Sequence, residues 1–382
     1  MQPLGVLYAQ AGNGHRSAAL AIREALSAPA ALVDLLGFAP SWFRALVSRG
    51  YETLGERAHR PCEAVYRVTD RLREESALVR VLDRVSTGVL EPFRRFVEDN
   101  PFREILCTHF LPLPLLARLR AEGLYRGRLS VCVTDFGLHR FWVHPEVDRY
   151  FCASTSVAQQ LADHRVPPER IRVTGIPVRR AFRELHRNLR RPGPASPLRV
   201  LFCASSIPER QVLRMLETLG GLGIPLRVCL VAGRSRSLLE KLRDYRPSPL
   251  LDLTRIGYAS DLPQRMREAD LLVTKPGGLV ASEALCAGLP LVLTSPIPLQ
   301  ETLNARYLES VGAGHLETEA KGVARRIAWY REDPSRVIRA SGRALAAARP
   351  EAARNIAQAL EEDFRLPGLP RIAQKLPEAV GA

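Results

Sequence analysis

Short apolar runs, each followed by helix-patterned sequence, recur along the chain, and this alternation constrains the fold more than any other feature. LGVLYA, ALVDLL, EILCT, LSVCVT, DRYFCAS and IRVTG lie in the first half; RVLFCAS, LRVCLVAG, LLDLTRIGY, DLLVT and LPLVLTS lie in the second. Helical patterns fall between them at 15–27, in LPLLARLRAEG and STSVAQQLADH, and near 209–219 and 235–245. A long helical tract spans Pro40–Glu98, and helices near Gly322–Arg331 and Pro334–Leu360 close the chain. Strands that alternate with helices predict an open, parallel α/β sheet. Residues 186–198, HRNLRRPGPASPL, interrupt the pattern with Pro, Gly and Arg and read as a linker. The chain therefore divides into domains at 1–190 and 191–345, with a C-terminal helix and loose tail at 346–382. A length of 382 residues also suggests two cores rather than one.

Charge narrows the partners. Fifty-five Lys and Arg against 40 Asp and Glu give a net charge of +15. Such a surface attracts nucleic acid, anionic lipid or small anions. No nucleic-acid motif accompanies it, so no nucleic-acid partner is expected. An anionic membrane surface fits better, since each basic side chain close to it gains about 1 kcal/mol. The seven cysteines are scattered with no CxxC pair, which predicts reduced, packed thiols. The N-terminus lacks the features of a signal peptide, and no apolar run approaches the roughly 18 residues of a spanning helix. A cytoplasmic protein, peripherally attached to the inner face of the cell membrane, is the expectation.

Several turns carry candidate chemistry. DLLVT ends in Lys275-Pro276-Gly277-Gly278, and a helix bearing Ser282 and Glu283 follows. Unpaired N–H groups and the helix dipole there suit an anion such as a diphosphate, and Glu283 could grip ribose hydroxyls. An ordinary tight turn with a solvated Glu explains the same residues. The first strand ends at Gly12-Asn13-Gly14-His15, a turn where the backbone can approach an anion or a reaction centre. His15 suits acid–base work; a tight strand–helix turn capped by Asn13 explains the same residues. Asp135, after LSVCVT, could accept the proton of an acceptor hydroxyl or cap its own turn. His109, after EILCT, is a third polar group on that rim. His139 and His144 are five apart, a poor fit to one helical face, so no metal site is expected. Trp42 and Phe43, beside Arg44, could form an interfacial helix or pack inward.

Together these landmarks resemble a family. Ala11-Gly12-Asn13-Gly14-His15, Ser41-Trp42-Phe43-Arg44, Cys107-Thr108-His109-Phe110, the stretch from Val133 to His144, Val173-Thr174-Gly175-Ile176-Pro177-Val178, Thr274 to Gly278 and Pro296 to Ala305 follow one another in order. The set resembles the monogalactosyldiacylglycerol synthases and processive diacylglycerol glucosyltransferases, relatives of MurG, over nearly the whole chain to about residue 345. That resemblance implies a GT-B architecture, with two Rossmann-like domains facing each other across a cleft. It implies inverting transfer of a hexose from a UDP-sugar to diacylglycerol or a glycosyl-diacylglycerol, with no cofactor and no metal. It places His15 and Asp135 at the catalytic centre, and Gly12, Asn13, Gly14, Trp42, Phe43 and His109 at the acceptor. Ser205, Ser206, Tyr258, Lys275, Gly277, Gly278, Glu283, Gln300 and Glu301 would hold the nucleotide sugar. One departure stands out: Cys203-Ala204-Ser205-Ser206-Ile207-Pro208 has no glycine where the family has a glycine-rich turn. A MurG-like N-acetylglucosaminyltransferase acting on an isoprenoid-linked acceptor, and a non-catalytic lipid- or nucleotide-binding protein, are the alternatives.

Overall fold

The computed structural model describes residues 4–10, 13–45, 88–185, 193, 196–205, 207–296 and 300–362, with only the backbone of Asn13. Gly12, Ser206 and most of the Pro40–Glu98 tract lie outside the described residues, as does the tail from 363 onward. The described residues form two compact units, one of those between 4 and 180 together with 351–362, the other of those between 181 and 350.

The first unit contains β1 (Leu4–Tyr8), α1 (Asn13–Ala25), β2 (Ala30–Asp34), α2 (Glu91–Asp99), β3 (Glu104–Cys107), α3 (Leu113–Ala121), β4 (Arg128–Cys132), β5 (Arg149–Cys152), α4 (Thr155–Asp163) and β6 (Ile171–Val173). All pairings are parallel, in the order β2-β1-β3-β4-β5-β6. β1 and β3 are buried along their whole length, which is why they read as continuous apolar runs rather than alternating ones. Helix starts obey local chemistry: Ser154 Oγ accepts the Val157 N–H at 3.3 Å and opens α4.

The second unit contains β7 (Leu198–Cys203), α5 (Glu209–Gly220), β8 (Leu226–Val231), α6 (Arg236–Arg243), β9 (Leu251–Ile256), α7 (Leu262–Glu268), β10 (Leu271–Thr274), α8 (Gly278–Cys286), β11 (Leu291–Leu293), α9 (Gln300–Ser310), β12 (Gly314–Leu316), α10 (Ala320–Glu332) and α11 (Pro334–Ala347). Its sheet is again parallel, ordered β12-β11-β10-β7-β8-β9. Every run expected to be a strand forms one. β12 was not foreseen, because three residues beginning Gly314-His315 carry no apolar run and owe their extension to pairing with β11.

The expected single helix over Pro334–Leu360 is in fact two. α11 ends at Ala347, and α12 (Ala352–Glu362) begins after Pro350. Proline removes a backbone donor and disfavours helical geometry in the residue before it. α12 belongs to the first unit, where Ile356 and Leu360 pack with Leu4, Val6, Ala19 and Ile22. Arg149 Nη1 donates to the Ala359 carbonyl at 2.6 Å, and the Glu361 carboxylate accepts the N–H groups of Ser27 and Ala28.

Each sheet has one point where the strand order reverses. In the first unit it lies between β1 and β3, in the second between β7 and β10. Ligands of open α/β sheets bind at the carboxyl ends of the strands flanking such a point.

Candidate active site residues in each unit

In the first unit the reversal point gathers polar groups from three strand ends. His15 sits in the first turn of α1, Thr108 and His109 follow β3, and Thr134 and Asp135 follow β4. His15 Nδ1 lies 2.8 Å from the Thr108 carbonyl and 3.1 Å from Thr134 Oγ1. A carbonyl only accepts, so Nδ1 carries the hydrogen and the neutral ring keeps its lone pair on Nε2. The Thr108 hydroxyl donates to the carbonyls of Leu7 and His15, at 3.2 and 3.1 Å. Thr108 therefore holds the histidine at both backbone and ring.

Burial lowers the proton affinity of His15; the Asp135 charge and the bond to Thr108 partly restore it. Asp135 is itself buried. The structure thus brings together His15 and Asp135, the pair expected to be catalytic. His109 is also buried, its ring 4.4 Å from that of His15 in an edge-on arrangement. Its Nδ1 accepts the Leu111 N–H at 2.9 Å, and burial, reinforced by His15, holds its affinity for a proton well below that of a free imidazole. Behind it the Phe110 ring stands 5.7 Å from that of Trp142. Gly14 is half-buried at the start of α1. The backbone at 41–45 is helical, with Trp42 56% exposed and Phe43 buried. Trp42 and Phe43 therefore split between surface and core.

His139 Nδ1 accepts the Phe141 N–H at 3.2 Å and caps a short turn at Arg140–Trp142. That is a structural role for its Nδ1.

In the second unit the reversal point sets the Ser205 loop beside the Lys275-Pro276-Gly277 turn, since β7 and β10 are neighbours. The two helices that follow these loops differ. α5 has Pro208 at its cap position and Glu209 in its first turn. Glu209 accepts from Ser235, Ser237 and Lys241, and its negative charge disfavours an anion at that helix end. α8 has Gly277 at its cap, no capping side chain and no acid in its first turn. The chemistry of an anion seat belongs to α8.

Glu283 is buried on α8. Cys203, at the end of β7, has its thiol pushed up to about 12, by burial first and then by the Glu283 charge. The charge of that carboxylate is thus felt at the end of the neighbouring strand. Ser282 Oγ donates to the Gly278 carbonyl at 3.0 Å, which commits it to the helix. Lys275 Nζ lies 3.5 Å from Glu301 Oε2, and both side chains are about nine-tenths buried. Gln300 is half-buried beside it.

The glycine-free loop after β7 finds its room elsewhere. Gly233, after β8, has φ +64, and a side chain there would collide with Ser205 Oγ. Gly233 N–H in turn donates to the Gly257 carbonyl at 3.2 Å. Ser205 is exposed. Tyr258 is 65% exposed, which excludes it from the core, and Arg234 stands 5.8 Å from its ring centre. Thr108, Thr134, Gly233, Arg234 and Asn304 were not singled out from sequence as site residues. The one local signal for the threonines is that each ends an apolar run, EILCT or LSVCVT.

Comparison with known proteins follows this geometry. Residues 15–178 match the family model of monogalactosyldiacylglycerol (MGDG) synthase. A processive diacylglycerol β-glucosyltransferase of Bacillus pumilus is 32% identical over 186 residues, 47% of this chain and 48% of that protein. Its counterpart in Bacillus cytotoxicus is 30% identical over 264 residues, 66% of each chain. The alignments thus span about half to two thirds of the length of these relatives. Among solved structures, MurG of Acinetobacter baumannii superposes with a TM-score of 0.64 at 15% identity, covering 95% of this chain and all of that one. Anabaena HepE in complex with UDP gives 0.54 at 16% identity, covering 95% and 99%. The fold is that of the GT-B glycosyltransferases.

Proposed function

We propose that this chain, by sequence a relative of the monogalactosyldiacylglycerol synthases and processive diacylglycerol glucosyltransferases, transfers a hexose from a UDP-sugar to diacylglycerol or a glycosyl-diacylglycerol, with inversion. The observation that carries the reading is α8. Its start is uncapped and free of acid in the first turn, it stands beside buried Lys275, and it flanks the strand-order reversal of its sheet. Unpaired N–H groups and a nearby cation suit a leaving diphosphate, whose charge grows as the glycosidic bond breaks. Gly277 and Gly278 let the phosphates approach the backbone, Glu283 takes the ribose, and Gln300 and Glu301 take the hexose hydroxyls. Ser205 and Tyr258 flank the phosphates and the base.

At the acceptor side His15 is the general base. Its hydrogen is committed to Thr108, so Nε2 takes the proton of the lipid hydroxyl as the oxygen attacks the anomeric carbon. Asp135 stabilises the imidazolium that results. Trp42 and Arg44 supply an apolar and a basic contact with the anionic inner face of the membrane. No metal is required, because the helix start and Lys275 meet the diphosphate charge.

The test is direct. The purified chain, with UDP-glucose or UDP-galactose and diacylglycerol liposomes, should release UDP and form glycolipid, with activity unchanged by EDTA. Consumption of neither donor with any lipid acceptor would sink the reading. Preference for UDP-N-acetylglucosamine and an isoprenoid-linked acceptor would replace it with the MurG-like one.

A further inference from the structure

We propose that Lys275 is a charge-exchange residue: it pairs with Glu301 before the donor arrives and turns to the diphosphate on binding, freeing Glu301 for the hexose hydroxyls. The inference rests on the reading that the donor diphosphate sits at the start of α8.

Three observations lead to it. First, Lys275 Nζ and Glu301 Oε2 are 3.5 Å apart with side chains only 10% and 11% exposed. A fully formed charge-assisted hydrogen bond is about 2.7–2.9 Å, so this pair is loose although shielded from water. Second, the backbone of the turn does not depend on the pair. Asn304, fully buried one turn along α9, donates from Nδ2 to the Pro276 carbonyl at 2.9 Å. The lysine can change partner while turn and helix keep their places. Third, Lys275 stands at the foot of the uncapped α8, within the same Lys-Pro-Gly-Gly turn.

The charges then decide the direction of exchange. A diphosphate presents more negative charge than one carboxylate, and the flexible lysine stem can re-aim its ammonium towards it. Loss of the lysine charge beside buried Glu301 is unfavourable unless hydroxyl donors take its place. A hexose brings those donors; UDP alone does not. Glu301 therefore opposes UDP and accepts UDP-hexose, which ties recognition of the sugar to recognition of the phosphates.

Glu301→Gln tests this by calorimetry against UDP, uridine and UDP-glucose, with circular dichroism and a melting curve to show that the variant is folded. The expected result is UDP binding tighter by about threefold or more, unchanged uridine binding, and a smaller advantage of UDP-glucose over UDP. In a Lys275→Met background the gain from Glu301→Gln should shrink, because no lysine remains to be released. UDP affinity unchanged or weakened in folded Glu301→Gln overturns the exchange, as does an undiminished gain in the Lys275→Met background. Failure of the wild-type chain to bind UDP would instead overturn the donor reading beneath it.

Discussion

Burial disfavours the charged form of His15, and Asp135 works against that effect. If His15 is the base, the acid limb of kcat/KM lies below the ordinary imidazole value of about 6.5, since the rate falls only when the ring becomes protonated. Asp135→Asn removes the opposing charge, so the limb should move to still lower pH while kcat drops by about 10- to 100-fold. Abolished activity with no residual titration would make Asp135 the base instead. His109 adds a stability effect. Its folded-state affinity for a proton lies well below the ordinary value, so the unfolded chain binds the extra proton below about pH 6.5. Stability present above that pH is lost as pH falls, at up to about 1.4 kcal/mol per pH unit for one such group. Urea unfolding of His109→Asn between pH 7 and 5 should show a shallower decline than wild type; parallel declines would contradict this. Asn keeps an acceptor for the Leu111 N–H while removing the titration.

Elements place these residues. α12 is the last described helix, yet it completes the core built around the first strand. Leu360 is fully buried there. Leu360→Ala should therefore cost about 2–5 kcal/mol, read as a lower urea midpoint; a cost below 1 kcal/mol would mean that α12 contributes little to the unit. The helix starts show a second element-level rule. Glu209 closes the start of α5 by binding Ser235, Ser237 and Lys241, whereas α8 begins at a bare glycine. Two helices that both follow central strands thus receive opposite electrostatic character from one or two residues each. Both Glu209 and Gly277 are visible in sequence, but the partners of Glu209 are not. They come from the loop and helix after β8.

For the molecule as a whole, charge is the dominant global property. At +15 it should bind vesicles of anionic lipid and leave zwitterionic ones alone. Sedimentation with phosphatidylglycerol vesicles in about 0.1 M salt should recover most of the protein. At about 1 M salt the screening length falls to roughly 3 Å and binding should be largely lost. Trp42→Ala should weaken what remains, because that indole is the exposed partner of the Trp42–Phe43 pair. Binding indifferent to both lipid charge and salt would remove the membrane from the proposed function. Among the described residues no helix is long and apolar enough to cross a membrane.

The sequence by itself determined the order of the elements, the apolar runs that became strands, and the turns at which His15, Asp135, Gly277 and Glu283 would stand. Those features are local: a strand buried on both faces must be apolar, and a strand-to-helix turn leaves its mark within a few residues. It misjudged α11 and α12, where one proline outweighed a helical pattern, and it overlooked β12, whose strand character comes from its neighbour. The tertiary structure alone decided which strand ends are adjacent. His15 meets a carbonyl 93 residues away, Asn304 reaches Pro276 across 28, and Ser205 finds its space at Gly233. Parallel pairing joins strands whose separation leaves no periodic trace. The tautomer of a histidine, the partner of a lysine and the point of strand reversal are therefore settled only once the sheets have formed.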